Sequence, residues 1–162
     1  MREIYIAGGC FWGVEGYYKR LKGVMDTSVG YANGNNDKIS YQDLKAHKDT
    51  HAETVKIIYD ENIISLEKIL EHFLRFVDPY SVNKQAHDEG IQYRSGVYYT
   101  DNNDYPIIKD YLDKNIHGQY AIEILPLKNF CLAEEYHQDY LDKNPNGYCH
   151  INFNLIKKRE MN

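Results

Sequence analysis

Apolar residues recur along this chain with two spacings, one typical of strands and one typical of helices. Ile4 and Ile6 lie on one face of a short strand that we expect over 2–7. Between Ser65 and Val77 the apolar residues lie three or four positions apart, which predicts the clearest helix of the chain, ended by Pro79. The same patterns predict further strands over 24–31, 53–59, 95–100 and 120–127, and further helices over 11–21, 40–46, 104–115 and 132–141.

The order of these elements predicts the fold class. Strands and helices are mixed along the chain, which favours an α+β fold with helices packed on a mixed or mainly antiparallel sheet. We expect a single domain over residues 1–162 and a coil-rich tail from Gly147 onward. The polar stretch 79–94 is long for a loop inside such a domain, and long loops of this kind are often functional.

Composition and charge exclude several classes of partner. The 162 residues carry a formal net charge of −5 and no basic stripe, so we expect neither nucleic acid nor an anionic membrane as a partner. No apolar run is long enough to cross a membrane, and the first residues do not resemble a signal peptide. We therefore expect a cytoplasmic protein, acting as a monomer.

The three cysteines are an odd number at wide spacing, which fits neither a disulfide scaffold nor a metal-binding pattern. We therefore expect no metal and no organic cofactor. In a reducing compartment, a disulfide between two of them would be transient and catalytic rather than structural. Cys131 stands among apolar residues, and we expect it to serve in packing.

The run GGCFWG at 8–13 is the most informative motif of the chain. It stands between a predicted strand and a predicted helix, so the Cys10 sulfur is expected near a helix N-terminus, where unpaired N–H groups and the helix dipole favour a thiolate. Phe11 and Trp12 offer an apolar wall beside a reactive sulfur. The alternative is that Cys10 is a small buried hydrophobic residue after a tight turn.

Glu53 is the second candidate. The alternation of its strand places it on one face with Val55 and Ile57. A carboxyl group on an apolar face has a raised pKa and can donate a proton beside a thiolate. The alternative is that Glu53 begins the strand and points into solvent.

Further polar residues cluster late in the chain. Asp88 and Tyr93 belong to a dense polar set that leads into a strand, and the Tyr93 phenol can donate to an oxygen. Tyr136 and Tyr140 are four positions apart and would share one face of the helix expected over 132–141, and we expect Tyr136 to bind substrate.

Cys149 follows the turn-rich segment NPNGY, which we expect to be mobile. A cysteine on a mobile tail suits a resolving thiol, since such a thiol must reach a partner sulfur. The alternative for Cys149 is that it is an exposed cysteine without a role. The alternative for the polar set that contains Asp88 and Tyr93 is a loop tied down by its own hydrogen bonds.

Taken together, these motifs resemble peptide methionine sulfoxide reductase type A, in that family's order and over nearly the whole chain. The matching stretches are GCFWG at 9–13, VGYANG at 29–34, SYQD at 40–43, HAE at 51–53, DEGIQYRS at 88–95, AEEYHQ at 133–138 and NPNGYC at 144–149. Asn33 departs from the family's usual glycine in a turn, a position that Asn tolerates.

The resemblance implies a reaction. Cys10 would attack the sulfoxide sulfur of the S epimer of methionine sulfoxide, with Phe11 and Trp12 around the substrate methyl. Glu53 would donate a proton to the sulfoxide oxygen. Methionine would leave, and Cys10 would remain as a sulfenic acid.

The resemblance also implies how the site is completed and recycled. Tyr41 and Tyr93 would hydrogen-bond the sulfoxide oxygen, and Asp88 would support the site. Cys149 would resolve the sulfenic acid as a disulfide, which thioredoxin would reduce. Some relatives carry a further cysteine shortly after the one that matches Cys149. This chain has none there, so its disulfide would be presented directly to the reductant.

Two other classes of function stay open. A cysteine hydrolase or acyltransferase would use Cys10 with a base such as His137 and would have no need of Cys149. A redox sensor that binds oxidised methionine without turnover would have no need of a buried proton donor at Glu53.

Overall fold

A computed structural model describes residues 1–34 and 50–162. The helix expected over 40–46 and the candidate residue Tyr41 lie outside these described residues. Within them, no helix is long and apolar enough to cross a membrane.

Six strands form one mixed sheet. Its members are β1 (Arg2–Gly8), β2 (Val24–Ala32), β3 (Ala52–Tyr59), β6 (Ser95–Tyr99), β7 (Glu123–Pro126) and β8 (Phe130–Leu132). Their order across the sheet is β7-β6-β1-β3-β2-β8, so the first strand of the chain lies in the interior of the sheet. Strand β7 pairs with β6 in parallel and every other neighbouring pair is antiparallel, which confirms the predicted mixed sheet.

In the described parts of the chain, four α-helices accompany the sheet: α1 (Phe11–Lys19), α2 (Leu66–Phe76), α3 (Asp104–Asn115) and α4 (Tyr140–Lys143). Helix α2 agrees closely with the prediction. The Ser65 hydroxyl accepts a hydrogen bond from the Lys68 N–H at 3.1 Å and so caps its first turn. Its apolar stripe, which includes Phe73, is buried in the core.

The main core joins the sheet to α1 and α2. Ile4, Ile6 and Val14 are fully buried, together with Tyr17 and Phe73. Each such side chain stabilises the fold by about 1.5–3 kcal/mol through burial. Because β1 and α1 are both anchored here, the turn between them is held by the most rigid part of the molecule.

The prediction of a single helix over 132–141 is wrong. The chain instead forms strand β8, a 3₁₀ turn over Glu135–His137 and the short helix α4. Between the last two, the Gln138 amide pairs with both the N–H and the C=O of Val29 on β2, at 2.9 and 2.8 Å. Asp139 then takes a left-handed conformation with φ 54°. These contacts with a distant strand replace the local helical hydrogen bonds, so Tyr136 and Tyr140 do not share a helix face.

The stretch 79–94 is less irregular than predicted. It contains a hairpin of two short strands, β4 (Lys84–Gln85) and β5 (Asp88–Glu89), followed by a 3₁₀ turn over Ile91–Tyr93. The strand expected over 120–127 is confined to β7. These changes leave the α+β class as predicted.

The C-terminal tail is rich in coil, as predicted, but long-range contacts anchor it to the rest of the fold. Two 3₁₀ turns cover Phe153–Leu155 and Lys158–Glu160, and Ile151 is buried. The Glu160 carboxylate binds Arg75 on α2 through two hydrogen bonds of 2.7 and 2.8 Å. A local sequence pattern rich in turn residues does not report such long-range contacts.

Candidate active site

The first two backbone amides of α1 interact with the two main candidate groups, the Glu53 carboxyl and the Cys10 thiol. Cys10 is the N-cap residue of this helix, and the Phe11 N–H donates to Glu53 Oε1 at 3.2 Å. The next amide, that of Trp12, interacts with the Cys10 sulfur and lowers the pKa of the thiol. The helix N-terminus thus brings a thiol and a carboxyl group together on adjacent donors.

A glycine makes this turn possible. Gly9 has a φ of +92°, a conformation that residues with a side chain rarely adopt. A methyl group built on it would also lie only 2.7 Å from Cβ of Gln85. Gln85 is itself buried and bonded to both backbone polar groups of Asp78, so it forms a fixed floor under the turn.

Glu53 is buried, with 2% of its surface exposed. It lies on β3 opposite Tyr31 of β2 and on the same face as Val55, as the alternation predicted. Burial raises the pKa of Glu53 to about 8, with a smaller contribution from the charge of Asp88 and an opposing one from the Phe11 N–H. At neutral pH this carboxyl group therefore carries a proton that it can donate.

The Cys10 thiol is also buried, and this changes one prediction. Burial raises the pKa of Cys10 above its usual value, and the charges of Glu53 and Asp88 raise it further, while the Trp12 N–H lowers it. The expectation of a resting thiolate is therefore wrong, because desolvation outweighs the helix N-terminus. A protonated Glu53 removes one of the two repelling charges.

Aromatic rings surround this thiol and carboxyl pair. The Phe11 ring is buried 5.7 Å from the ring of Tyr31 and 5.3 Å from that of His137. Trp12 is half-buried and stacks on Tyr140 at 3.7 Å with an angle of 8° between the rings. The predicted apolar wall is present, with Phe11 as a buried floor and Trp12 as an accessible side.

His137 is oriented by Trp12. The indole N–H donates to His137 Nδ1 at 3.1 Å. A neutral imidazole has one acceptor nitrogen, and here that nitrogen binds Trp12. Burial lowers the pKa of His137, which keeps the ring neutral. His137 is thus a poor base for Cys10, and this geometry opposes the hydrolase alternative.

Cys149 lies beside the first turn of α1. A methyl group built on Gly13 would lie 3.2 Å from Cys149 Sγ. The preceding residue, Tyr148, donates its hydroxyl hydrogen bond to Asp88 at 2.9 Å. The second thiol therefore stands next to the helix turn that begins at Cys10, with its segment fixed to the hairpin that carries Asp88.

Three other candidates lie at the edges of the site. Tyr93 is half-buried in the 3₁₀ turn that packs beside β3, the strand of Glu53. Tyr136 is more than half exposed, with its hydroxyl donating to Glu134 at 3.2 Å and its ring 4.2 Å from that of His137. Cys131 is on the edge strand β8 and partly packed against the core, as predicted.

Sequence reasoning missed three residues here. Gln85 supports the turn, and Tyr148 binds Asp88. His150 contacts the same turn as Gln85, but no sequence motif pointed to it. The only available signal was that Tyr148 and His150 flank the candidate Cys149.

The arrangement combines a buried thiol, a neutral carboxylic acid, an aromatic wall and a second thiol nearby. Such a set can transfer an oxygen from a small substrate to a sulfur and then form a disulfide. It suits redox chemistry at sulfur better than acyl transfer through His137, because the acceptor nitrogen of that ring is engaged by Trp12.

Comparisons with known proteins agree with this chemistry. The family described as peptide methionine sulfoxide reductase matches residues 2–162. A protein of Clostridium acetobutylicum named peptide methionine sulfoxide reductase MsrA is 51% identical over 161 residues, 98% of this chain and 99% of that protein. A protein with the same name from Ureaplasma urealyticum is 49% identical over 162 residues, 98% of each.

A solved structure supports the same assignment. Mxr1 from Saccharomyces cerevisiae in its reduced form has a TM-score of 0.81 and 37% identity, over 91% of this chain and 88% of that one. The structure of Mxr1 in complex with Trx2 has a TM-score of 0.53 at 24% identity, over 86% and 84% of the two chains. With its α+β fold and its cysteine at a helix N-terminus, the chain belongs to the peptide methionine sulfoxide reductase family, whose MsrA members are oxidoreductases.

Proposed function

We propose that this protein reduces the S epimer of methionine sulfoxide to methionine. One observation carries the proposal: the Phe11 and Trp12 amides hold Glu53 and Cys10 side by side, and Glu53 is protonated at neutral pH. A sulfoxide needs a nucleophile at its sulfur and an acid at its oxygen, and this pair supplies both.

In the first step, the Cys10 sulfur forms a bond to the sulfoxide sulfur while Glu53 protonates the oxygen. The oxygen then passes to Cys10, methionine leaves, and Cys10 becomes a sulfenic acid. The proton that the Cys10 thiol loses replaces the one that Glu53 gives up. Phe11 and Trp12 contact the substrate methyl, and Tyr41 and Tyr93 donate hydrogen bonds to the oxygen, with Asp88 and Tyr136 at the rim.

In the second step, Cys149 attacks the Cys10 sulfenic acid, forming a disulfide and releasing water. A dithiol reductant of the thioredoxin type then restores both thiols. The location of Cys149 beside Gly13 supports this pairing. The yeast relative Mxr1 forms a complex with the thioredoxin Trx2, which supports this class of reductant.

The protein works in this cycle as a monomer in the cytoplasm. In a reducing compartment of this kind, Cys10 and Cys149 would return to thiols after each cycle.

The test is a single-turnover assay of the reduced protein with the separated S and R epimers of methionine sulfoxide. We expect one methionine per protein from the S epimer, with the loss of two thiols. Methionine from both epimers would contradict the stereospecificity. The loss of no thiols, or of one, would contradict the disulfide step.

The same assay separates the other classes of function. A sensor would bind the sulfoxide without releasing methionine. A hydrolase or acyltransferase would release no methionine but would form an acyl-enzyme at Cys10 with an activated ester. Either result would overturn the proposed reduction.

A further inference from the structure

The side chain of His150 occupies a slot over the turn that carries Cys10. A methyl group built on Gly9 would lie 3.1 Å from His150 Nε2, and one built on Gly13 would lie 3.3 Å from His150 Nδ1. The imidazole therefore spans the helix N-terminus from one glycine to the other. A side chain at Gly9 would clash with Gln85, and one at Gly13 would crowd this ring.

The hydrogen bond of this ring fixes its tautomer. His150 Nε2 lies 3.0 Å from the carbonyl oxygen of Gly8, which can only accept. Nε2 therefore carries the hydrogen, and Nδ1 of the neutral ring has a lone pair. That Nδ1 atom is buried and has no hydrogen-bond partner among the described residues.

This Nδ1 atom and the second thiol both border Gly13. Cys149 Sγ and His150 Nδ1 are both within 3.3 Å of the same point above Gly13. In this reduced state the Cys149 thiol donates to the Ile151 carbonyl at 3.3 Å. Rotation about its Cβ–S bond redirects the hydrogen without moving the backbone.

We infer that His150 is the catalytic base of disulfide formation, taking the proton from Cys149 as its sulfur attacks the Cys10 sulfenic acid. This inference rests on the proposed reductase cycle and adds a residue to its second step. The bond between Cys149 sulfur and Cys10 sulfur forms as the S–O bond of the sulfenic acid breaks. The leaving hydroxide takes this proton from His150 and departs as water, which returns the ring to its neutral form.

The charged surroundings of His150 allow this role. Burial lowers the pKa of the ring, while the Gly8 bond and the charge of Asp88 on β5 raise it. Asp88 from the hairpin is the charged group that acts on the ring itself. Cys149, the preceding residue, also feels the guanidinium of Arg20 at the end of α1, whose charge opposes the rise that burial causes in the pKa of this thiol.

The experiment follows the two steps separately in His150→Gln. The Gln side chain can still donate to Gly8 but cannot take up a proton. Methionine formation and thiol loss are measured in one quenched time course with the S epimer. We expect the rate of disulfide formation, relative to that of methionine formation, to fall about 100-fold.

The pH profile separates a base from a structural residue. For the wild-type protein the disulfide rate should level off near neutral pH, once His150 is neutral. For His150→Gln the rate should rise tenfold per pH unit through the same range, because hydroxide must then ionise Cys149. His117→Gln, which changes an exposed histidine, serves as the matched control and should show the wild-type profile.

Two outcomes would overturn the inference. One is an unchanged ratio of the two rates in His150→Gln, and the other is an equal loss of both steps, which would make His150 a structural residue. The absence of methionine in the wild-type protein itself would instead refute the proposed function.

Discussion

At the scale of single residues, the chemistry of this protein depends on two successive backbone N–H groups at the start of α1, each of which contacts one reactive side chain. The Phe11 amide binds a carboxyl oxygen of Glu53 and the Trp12 amide binds the Cys10 sulfur. Ordinarily both donors favour the anionic form of what they bind. Here burial is stronger, so both groups keep their protons until a substrate oxygen takes one.

Replacing Glu53 by Gln should stop reduction while making the protein more stable in alkali. The folded pKa of about 8 lies above the ordinary value of 4.5, so stability falls as the pH rises between these values. At pH 8 the variant should exceed the wild type in unfolding free energy by on the order of 3 kcal/mol. Urea unfolding at pH 5 and pH 8 measures this, and equal pH dependence of the two proteins would contradict it.

Replacing Cys149 by Ser should separate the two half-reactions. A hydroxyl group does not displace a sulfenic acid oxygen under these conditions, so one methionine should form per protein and thioredoxin should not recycle it. Cys131→Ser is the matched control and should turn over as the wild type does. Thioredoxin-driven turnover in Cys149→Ser would remove Cys149 from the cycle.

Some residues of the site were predictable from sequence and others were not. Glu53 followed from strand alternation, since a period of two assigns a face regardless of the rest of the fold. Cys10 followed from its place between a strand and a helix. His150 and Gln85 could not be found in this way, because their roles depend on how distant segments approach Gly9 and Gly13.

At the scale of elements, the tail is held to α2 by a cluster of charges. Glu160 binds Arg75 through both of its oxygens and also binds Lys68 at 2.8 Å. These partners hold the pKa of Glu160 well below its usual value. The stabilising effect is therefore present at neutral pH and is lost in acid.

Replacing Glu160 by Gln should loosen this tail. We expect a loss of about 1–3 kcal/mol in unfolding free energy, because Arg75 keeps its charge without its partner. Proteolysis should also cut the chain faster after residue 150. The control is Glu61→Gln, which breaks an exposed pair with Arg2 and should cost less than about 0.5 kcal/mol. Equal losses in both variants would contradict the anchoring role.

The predicted elements differ in how far local pattern governs them. Helix α2 has its own cap at Ser65 and its own apolar stripe, and its bounds could be predicted closely. The region 132–141 also has a helical pattern, but Gln138 bonds to Val29 more than a hundred positions away. A single-sequence pattern contains no information on such partners.

At the scale of the whole molecule, buried histidines shape the response to acid. Burial lowers the pKa of His72 to about 4, and it also lowers the pKa values of His137 and His150. Their ordinary value is 6.5, so the unfolded chain binds more protons than the folded one below that pH. Stability should therefore fall as the pH drops from about 6.5 toward 4.

Urea midpoints measured across this range check the expectation. The raised pKa of Glu53 makes stability fall with rising pH from 4.5 to 8, and above pH 6.5 the histidines no longer oppose this fall, so the wild type should be most stable near pH 6.5. The variant His72→Gln should show a shallower acid decline than the wild type. A curve that rises steadily from pH 6.5 to 8 would contradict the assignment of Glu53 as a buried neutral acid.

The interior place of β1 in the sheet has a consequence for biosynthesis. This strand is synthesised before its partners, which are Val55 to Tyr59 on one side and Ser95 to Tyr98 on the other. In a nascent chain, Cys10 therefore stays exposed until the strands that bury it have been synthesised. Glu160 and Asn162, which pair with Lys22 and Arg20, join the fold later still. Translation is thus the period in which oxidants in the cell have the freest access to the reactive thiol.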